Sequence, residues 1–259
     1  MTNKLKFGQI KPNLGIPINW SNPLAKGLVG YWLMNEGGGN IVQDLSGNGY
    51  VGTFQGDEYW AAGESGPAIY FPGDTDWIRL GNCDLLEGMA QLTIVAKVRP
   101  DDASSQQWII GNNGCWALEV NDERIRFRTW GGGSEVATYS NDPSVFDNTW
   151  HQIAGVYDGV NNNTYVDGIF NTSQAQSGAI PTGTTNFGIG SYSSAPSVLE
   201  FHGFIEFIYV YDRALSSREI ADLYAKPFGM FRPTFSVWWY SGIGGEPPAT
   251  FGQVIMISN

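Results

Sequence analysis

His151 and His202 are the only imidazoles in this 259-residue chain, so acid–base and nucleophilic chemistry has little to draw on. His151 follows Trp150 inside a run of strand formers, where a hydrogen-bonded structural ring is the expected role. Neither a Gly-x-Ser-x-Gly elbow nor a Gly-x-x-x-x-Gly-Lys phosphate loop occurs. Cys83 and Cys115 lie in no catalytic or metal-type signature; they either bridge two strands or stay reduced and buried. What remains is oxygen and aromatic chemistry. Asp44, Ser46, Asn48 and Gly49 set oxygen side chains at alternate positions before a glycine, like the first half of a calcium loop. Gln55 stands where such a loop needs its bidentate carboxylate, which excludes an EF-hand, and Asp44 equally suits an Asx-turn.

Aromatic residues make up 14% of the chain, with ten Trp, enough to fill a core and still face a ligand. Trp130, beside Gly131-Gly132-Gly133-Ser134, is the leading candidate for stacking on a sugar, because glycines clear space around a ring. Trp108 and Tyr192 follow; each of the three also suits ordinary packing. Asp74 and Asp76 share a turn, where they either meet a ligand hydroxyl or a cation, or cap the turn itself.

These groups must be positioned by short strands. Runs of strand formers recur at 27–33, 68–71, 77–80, 92–98, 108–110, 116–120, 125–129, 151–157, 163–166, 169–172, 186–189 and 201–211, nearly all separated by turn residues. That rhythm, with 34 glycines, predicts a sandwich or barrel. The Asp158-Gly159 pair between two such runs predicts a tight type I′ hairpin. One helix is expected: Ser216 to Glu219 reads as a capping box, Leu215, Ile220 and Leu223 form an apolar stripe, and Lys226-Pro227 ends it. Pro12, Pro17 and Pro23 keep residues 1–26 an extended arm. Beyond the helix, Trp238, Trp239 and Tyr240 are consecutive, so at least one ring points out of a simple strand and calls for a covering partner. A hairpin folded back on the domain is the other reading of that tail.

A formal charge of −11 argues against nucleic acid and against an anionic membrane surface as partners. No window approaches eighteen apolar residues, and the first residues lack a secretory apolar stretch.

Taken in order, the segments resemble the LamG-like jelly-roll family of concanavalin A-like sandwiches. The resemblance rests on Gly27-Leu28-Val29-Gly30-Tyr31-Trp32-Leu33, Asp44-Leu45-Ser46-Gly47-Asn48-Gly49, Ala68-Ile69-Tyr70-Phe71, Leu92-Thr93-Ile94-Val95-Ala96, the Trp150-His151 hairpin, Tyr165-Val166-Asp167-Gly168, and Gly203-Phe204-Ile205-Glu206 leading into Tyr211-Asp212-Arg213-Ala214-Leu215. The flanks, Lys11-Pro12-Asn13-Leu14-Gly15 to Trp20 and Ala225-Lys226-Pro227-Phe228-Gly229-Met230-Phe231, resemble LamG-like proteins encoded by tailed phages and prophages, which are thought to be virion components. The family implies one structural calcium where an N-terminal turn meets an acidic residue of the last strand, hence Asp44 and Asn48 with Glu206. Laminarinase-type enzymes on the same sandwich carry Glu-x-Asp-x-x-Glu on one strand, a spacing that sets nucleophile and acid on one face. Glu119 and Glu206 both lack that spacing here, so no catalytic residue is expected.

The expected protein is therefore all-β, a two-sheet antiparallel jelly-roll sandwich over 27–225 with one short helix, an arm (1–26) and a docking hairpin (226–259). It is expected to be a non-catalytic structural or adhesive component of a phage particle. Its partners would be other virion proteins or copies of itself, and possible surface glycans; nucleic acid and membrane insertion are not expected. The alternatives are a carbohydrate-binding module reaching the cell exterior by a non-classical route, and an atypical glycosidase.

Overall fold

In a computed structural model the strands assemble into two antiparallel eight-stranded sheets. It describes residues 8–73, 75–101, 105–112, 114–141, 143–182, 187–191 and 199–232. In chain order the strands are β1 (Leu28–Trp32), β2 (Ile41–Val42), β3 (Gly52–Phe54), β4 (Tyr59–Ala62), β5 (Pro67–Phe71), β6 (Ile78–Gly81), β7 (Leu92–Pro100) and β8 (Gln107–Asn112). There follow β9 (Trp116–Val120), β10 (Ile125–Gly131), β11 (Ser134–Tyr139), β12 (His151–Tyr157), β13 (Asn161–Val166), β14 (Ile169–Ala175), β15 (Phe187–Ile189) and β16 (Gly203–Tyr211). The first sheet runs β14-β13-β12-β7-β16-β5-β4, with β1 also on β16; the second runs β11-β10-β9-β8-β15-β6-β3-β2.

The core lies between the sheets. Alternate residues of β7 (Leu92, Ile94, Ala96, Val98) face Ile125 and Phe127 of β10 and Trp116 and Leu118 of β9, all buried. Gly155 of β12 pairs with Ile94 and carries no side chain because the Phe127 ring of the opposite sheet fills that space. A second apolar cluster covers part of the first sheet's outer face. There Val95, Phe207, Tyr209 and Tyr211 meet Leu28 and Tyr31, the arm through Ile18 and Ala25, and the segment after the helix through Phe228, Met230 and Phe231. The helix, α1 (Ser217–Ala225), adds Ile220 and Leu223. Ser216 and Glu219 form the expected capping box, and Leu215, just outside the cap, packs in the same cluster as Ile220.

The hairpin expectation needs one correction. Of Asp158 and Gly159 only the glycine has a positive φ, 97°, and it is the first central residue of a Gly159-Val160 loop, the type II′ pattern. Asp158 instead holds the loop through its carboxylate, which accepts from Val160 N at 2.9 Å and Asn161 N at 2.7 Å. The type I′ pattern falls at Asp167-Gly168 (φ 48° and 80°), between β13 and β14. The expected strands are present, while β2, β3, β4 and β11 were not foreseen; β2, β4 and β11 are edge strands with one neighbour each.

Candidate functional site

On β10, Ile125 and Phe127 point into the core, so Arg126, Arg128 and Trp130 point outward. The β9 and β11 registers set Glu119 opposite Arg126 and Glu135 opposite Trp130. Each arginine touches both carboxylates: Arg126 lies 3.1 Å from Glu119 and 2.7 Å from Glu135, Arg128 2.6 Å and 3.3 Å. The Arg128 guanidinium also lies over two rings, Trp108 at 4.4 Å and Trp130 at 4.6 Å. The fold thus joins two of the expected ligand-contacting rings through a residue that sequence reasoning passed over. Trp108 is fully buried and serves packing; Trp130 is half-buried. Gly132 and Gly133 beside it form a tight turn with φ 57° and 86°, and Gly133 has open space around it. Burial pushes the Glu119 carboxyl up to about 7, against the pull of both guanidiniums. A raised carboxyl suits a general acid, but Glu119 is 0% exposed, beneath ion pairs that leave a substrate no approach.

The calcium expectation meets donors instead of open oxygens. Asp44 Oδ1 accepts from Tyr31 N (3.0 Å) and Ser46 N (2.9 Å), and Oδ2 from Ser46 Oγ (2.8 Å) and Tyr50 N (3.1 Å). That is the Asx-turn geometry, extended to hold β1. Asn48 turns its amide N–H toward Val29 O at 2.9 Å. Glu206 lies elsewhere in the network. It is the extra residue of a β-bulge, at the point where the edge of β16 passes from β5 to β1. This seam leaves main-chain carbonyls without sheet partners, and the arm supplies the donor. Lys11 Nζ donates to Met34 O (3.0 Å), Glu206 O (2.7 Å) and Pro67 O. The Glu206 side chain, 0% exposed, accepts from Ser65 N at 2.6 Å. Burial lowers Lys11 to about 7, although Glu206 and Glu36 pull it up; burial likewise raises Glu206, with Lys11 pulling it down. A tethered ammonium stands beside the carboxylate the family resemblance assigned to calcium, and Asp44, Asn48 and Glu206 do not fit that ion. Among the described residues no group of three or more His, Cys, Asp and Glu could hold a metal.

Other expected sites serve the fold. Asp76 is buried and caps its turn, accepting from Asp57 N (2.6 Å) and Gly73 N (3.1 Å). His151 lies between Asp167 (2.8 Å) and Asp147 (3.1 Å), whose hydrogen bonds raise its pKa against the effect of burial. Cys83 and Cys115 are buried free thiols. A hollow of about 450 Å³ contains Asp158 and Asp212, but Asp158 is committed to its turn. Asp74, Tyr192, Trp238, Trp239 and Tyr240 lie outside the described residues. No helix among the described residues is long and apolar enough to cross a membrane.

One constellation was invisible in the sequence. On the outer face of the first sheet, register aligns Tyr59 (β4) with Tyr70 (β5), Tyr70 with Phe204 (β16), and Phe204 with Arg99 (β7). The pairing of His151 with Val98 puts Trp150 next to Arg99. Ring centroids lie 5.2 Å (Tyr59–Tyr70), 4.5 Å (Tyr70–Phe204) and 6.0 Å (Phe204–Trp150) apart. Arg99 covers Phe204 at 4.0 Å and Trp150 at 5.8 Å. Across five neighbouring strands the row spans roughly 19 Å. Tyr59 is 53% exposed and the other four are half-buried, outside the part of this face that the arm and helix cover. His202 supports the row from the side, with Nε2 3.1 Å from the Tyr70 hydroxyl.

A family model described as the concanavalin A-like lectin/glucanases superfamily matches residues 72–221. No curated protein matches the chain. Among solved structures, the binding domain of Paraclostridial Mosquitocidal Protein 1 is similar at TM-score 0.64 and 17% identity, over 78% of this chain and 52% of that one. Domain 4 of AbnA, an extracellular arabinanase from Geobacillus stearothermophilus, solved with arabinotriose, gives 0.59 and 19%, over 76% and 97%. Trypanosoma rangeli sialidase with sialic acid gives 0.57 and 17%, over 78% and 33%. The chain spans about half the length of the toxin binding domain, and at these identities the likeness is one of fold.

Proposed function

We propose that this chain, which belongs to the concanavalin A-like lectin/glucanases superfamily, is a non-catalytic glycan-binding module. The observation that carries the reading is the registered row Tyr59–Tyr70–Phe204–Arg99–Trp150 on a part of the sheet face that the described arm and helix leave open. Apolar ring faces flanked by hydroxyl and guanidinium donors are what the faces and rims of sugar rings require. Support comes also from the AbnA domain, solved with arabinotriose. The non-catalytic part rests on Glu119, whose carboxylate is shut beneath Arg126 and Arg128. A glycan array tests the reading. Tyr59→Ala is expected to weaken binding about tenfold, the equivalent of ~1.4 kcal/mol, and Trp130→Ala is the comparison at the other sheet. An array on which the wild type binds nothing refutes the binding function, and release of reducing ends from any polysaccharide refutes the absence of catalysis.

A second reading makes the module an adhesive part of a phage particle. What favours it is that the two flanks with the phage-like sequences meet on the sandwich. Ile18 pairs with Phe231, Asn19 N donates to Met230 O at 2.8 Å, and Phe228 N donates to Gly8 O at 2.9 Å. Mass spectrometry of purified particles from a host whose genome encodes the chain would detect it or rule it out.

A further inference from the structure

We infer that the aromatic row selects acidic oligosaccharides, with Arg99 as the residue that takes the sugar carboxylate. The inference rests on the glycan-binding reading and adds the ligand's charge. In a chain of net charge −11, the cations of this face are few and most are spoken for. Lys97, two residues along β7, is paired with Glu64 at 2.8 Å. The Tyr70 hydroxyl lies 3.1 Å from His202 Nε2, and burial, then the nearby Asp101 carboxylate, raise its pKa. Arg99 has two aromatic neighbours and, among the described residues, makes no ion pair with a carboxylate; its Nε is buried without a hydrogen-bond partner. A guanidinium partly withdrawn from water without an anion is under-solvated, and a ligand carboxylate would accept from it with charge assistance. Its place within the row, between Phe204 and Trp150 in strand order, matters as much as its charge. Phe204 and Trp150, whose rings meet edge to face 6.0 Å apart, both flank the guanidinium, at 4.0 Å and 5.8 Å. A saccharide laid along the rings from Tyr59 would bring one carboxylated unit to the guanidinium, with ring faces left for its neighbours. A neutral glycan would satisfy the rings and leave Arg99 as it is.

The test compares tetragalacturonate with neutral maltotetraose by titration calorimetry and Trp fluorescence, beside an array of neutral and acidic glycans. The wild type is expected to bind the acidic tetramer at least tenfold more tightly, with affinity falling as salt rises. Arg99→Gln should erase that preference while its melting curve stays close to the wild type. Tyr59→Ala, at an exposed edge of the sheet, should weaken the acidic tetramer while preserving the preference. Equal affinity for both tetramers, binding of neutral glycans alone, or an unchanged preference in Arg99→Gln overturns the inference and leaves the glycan-binding reading intact. If no glycan of either charge binds, both fall.

Discussion

Replacing Asp44 by alanine separates a hydrogen-bonded turn from a metal site, because the two give opposite answers to a chelator. The substitution removes four hydrogen bonds, two on each carboxylate oxygen, at 2.8–3.1 Å. Three come from the main chain at Tyr31, Ser46 and Tyr50, so β1 loses its hold on the following loop. Hydrogen bonds to a charged group are worth about 1.5–3 kcal/mol each, but all four here are only partly buried and water will replace some of them. The expected cost is about 2–4 kcal/mol in total. At roughly 2–4 °C per kcal/mol for a domain of this size, Tm falls by about 4–16 °C. Asp44→Asn keeps the Oδ1 pair and sets an amide against the Ser46 hydroxyl and Tyr50 N, so it falls between. The assay is urea unfolding followed by Trp fluorescence, with calcium or with chelator. The wild type should unfold identically in both, and the loss in Asp44→Ala should be the same in both. If chelator lowers the wild type by as much as the mutation does, and leaves the mutant unaffected, the carboxylate holds a metal. A cost below about 0.5 kcal/mol would show that the four bonds do not matter.

Two further outcomes follow from the seam and from His151. Lys11→Met should leave three main-chain carbonyls without their donor, at about 2–4 kcal/mol, and limited proteolysis should then cut the arm between residues 8 and 18; an arm as resistant as the wild type would contradict the role given to Lys11. Asp167 and Asp147 raise the folded-state pKa of His151 above its ordinary 6.5, so the folded protein holds the proton more tightly than the unfolded chain. The resulting stability is fully present below 6.5 and is lost as pH rises through the folded value. His151→Gln should flatten that part of the Tm profile, and a mutant profile parallel to the wild type would refute the assignment.

The family was legible because its signals are local. The Ser216–Glu219 box, the alternation of β7 and β12 and the turn glycines are set by neighbours a few residues away. Edge strands such as β4 and β11 escaped because burial from a single neighbour leaves weak patterning. The Asp-Gly dipeptide that suits an I′ turn occurs twice, at Asp158-Gly159 and Asp167-Gly168; strand register, which the dipeptide does not encode, decides between them. Trp130 and Trp108 each stand out by residue type and neighbours, but nothing in their spacing encodes that Arg128 lies across both.

By itself the amino-acid order determined that this is an antiparallel sandwich closed by one capped helix and poor in catalytic side chains. The tertiary structure alone decided which side chains meet. Tyr59, Tyr70, Arg99, Trp150 and Phe204 come from segments up to 145 residues apart and form one row only through the pairing of five strands. Lys11 likewise reaches Glu206 only because a bulge in β16 opens a seam of unpaired carbonyls that a donor must fill.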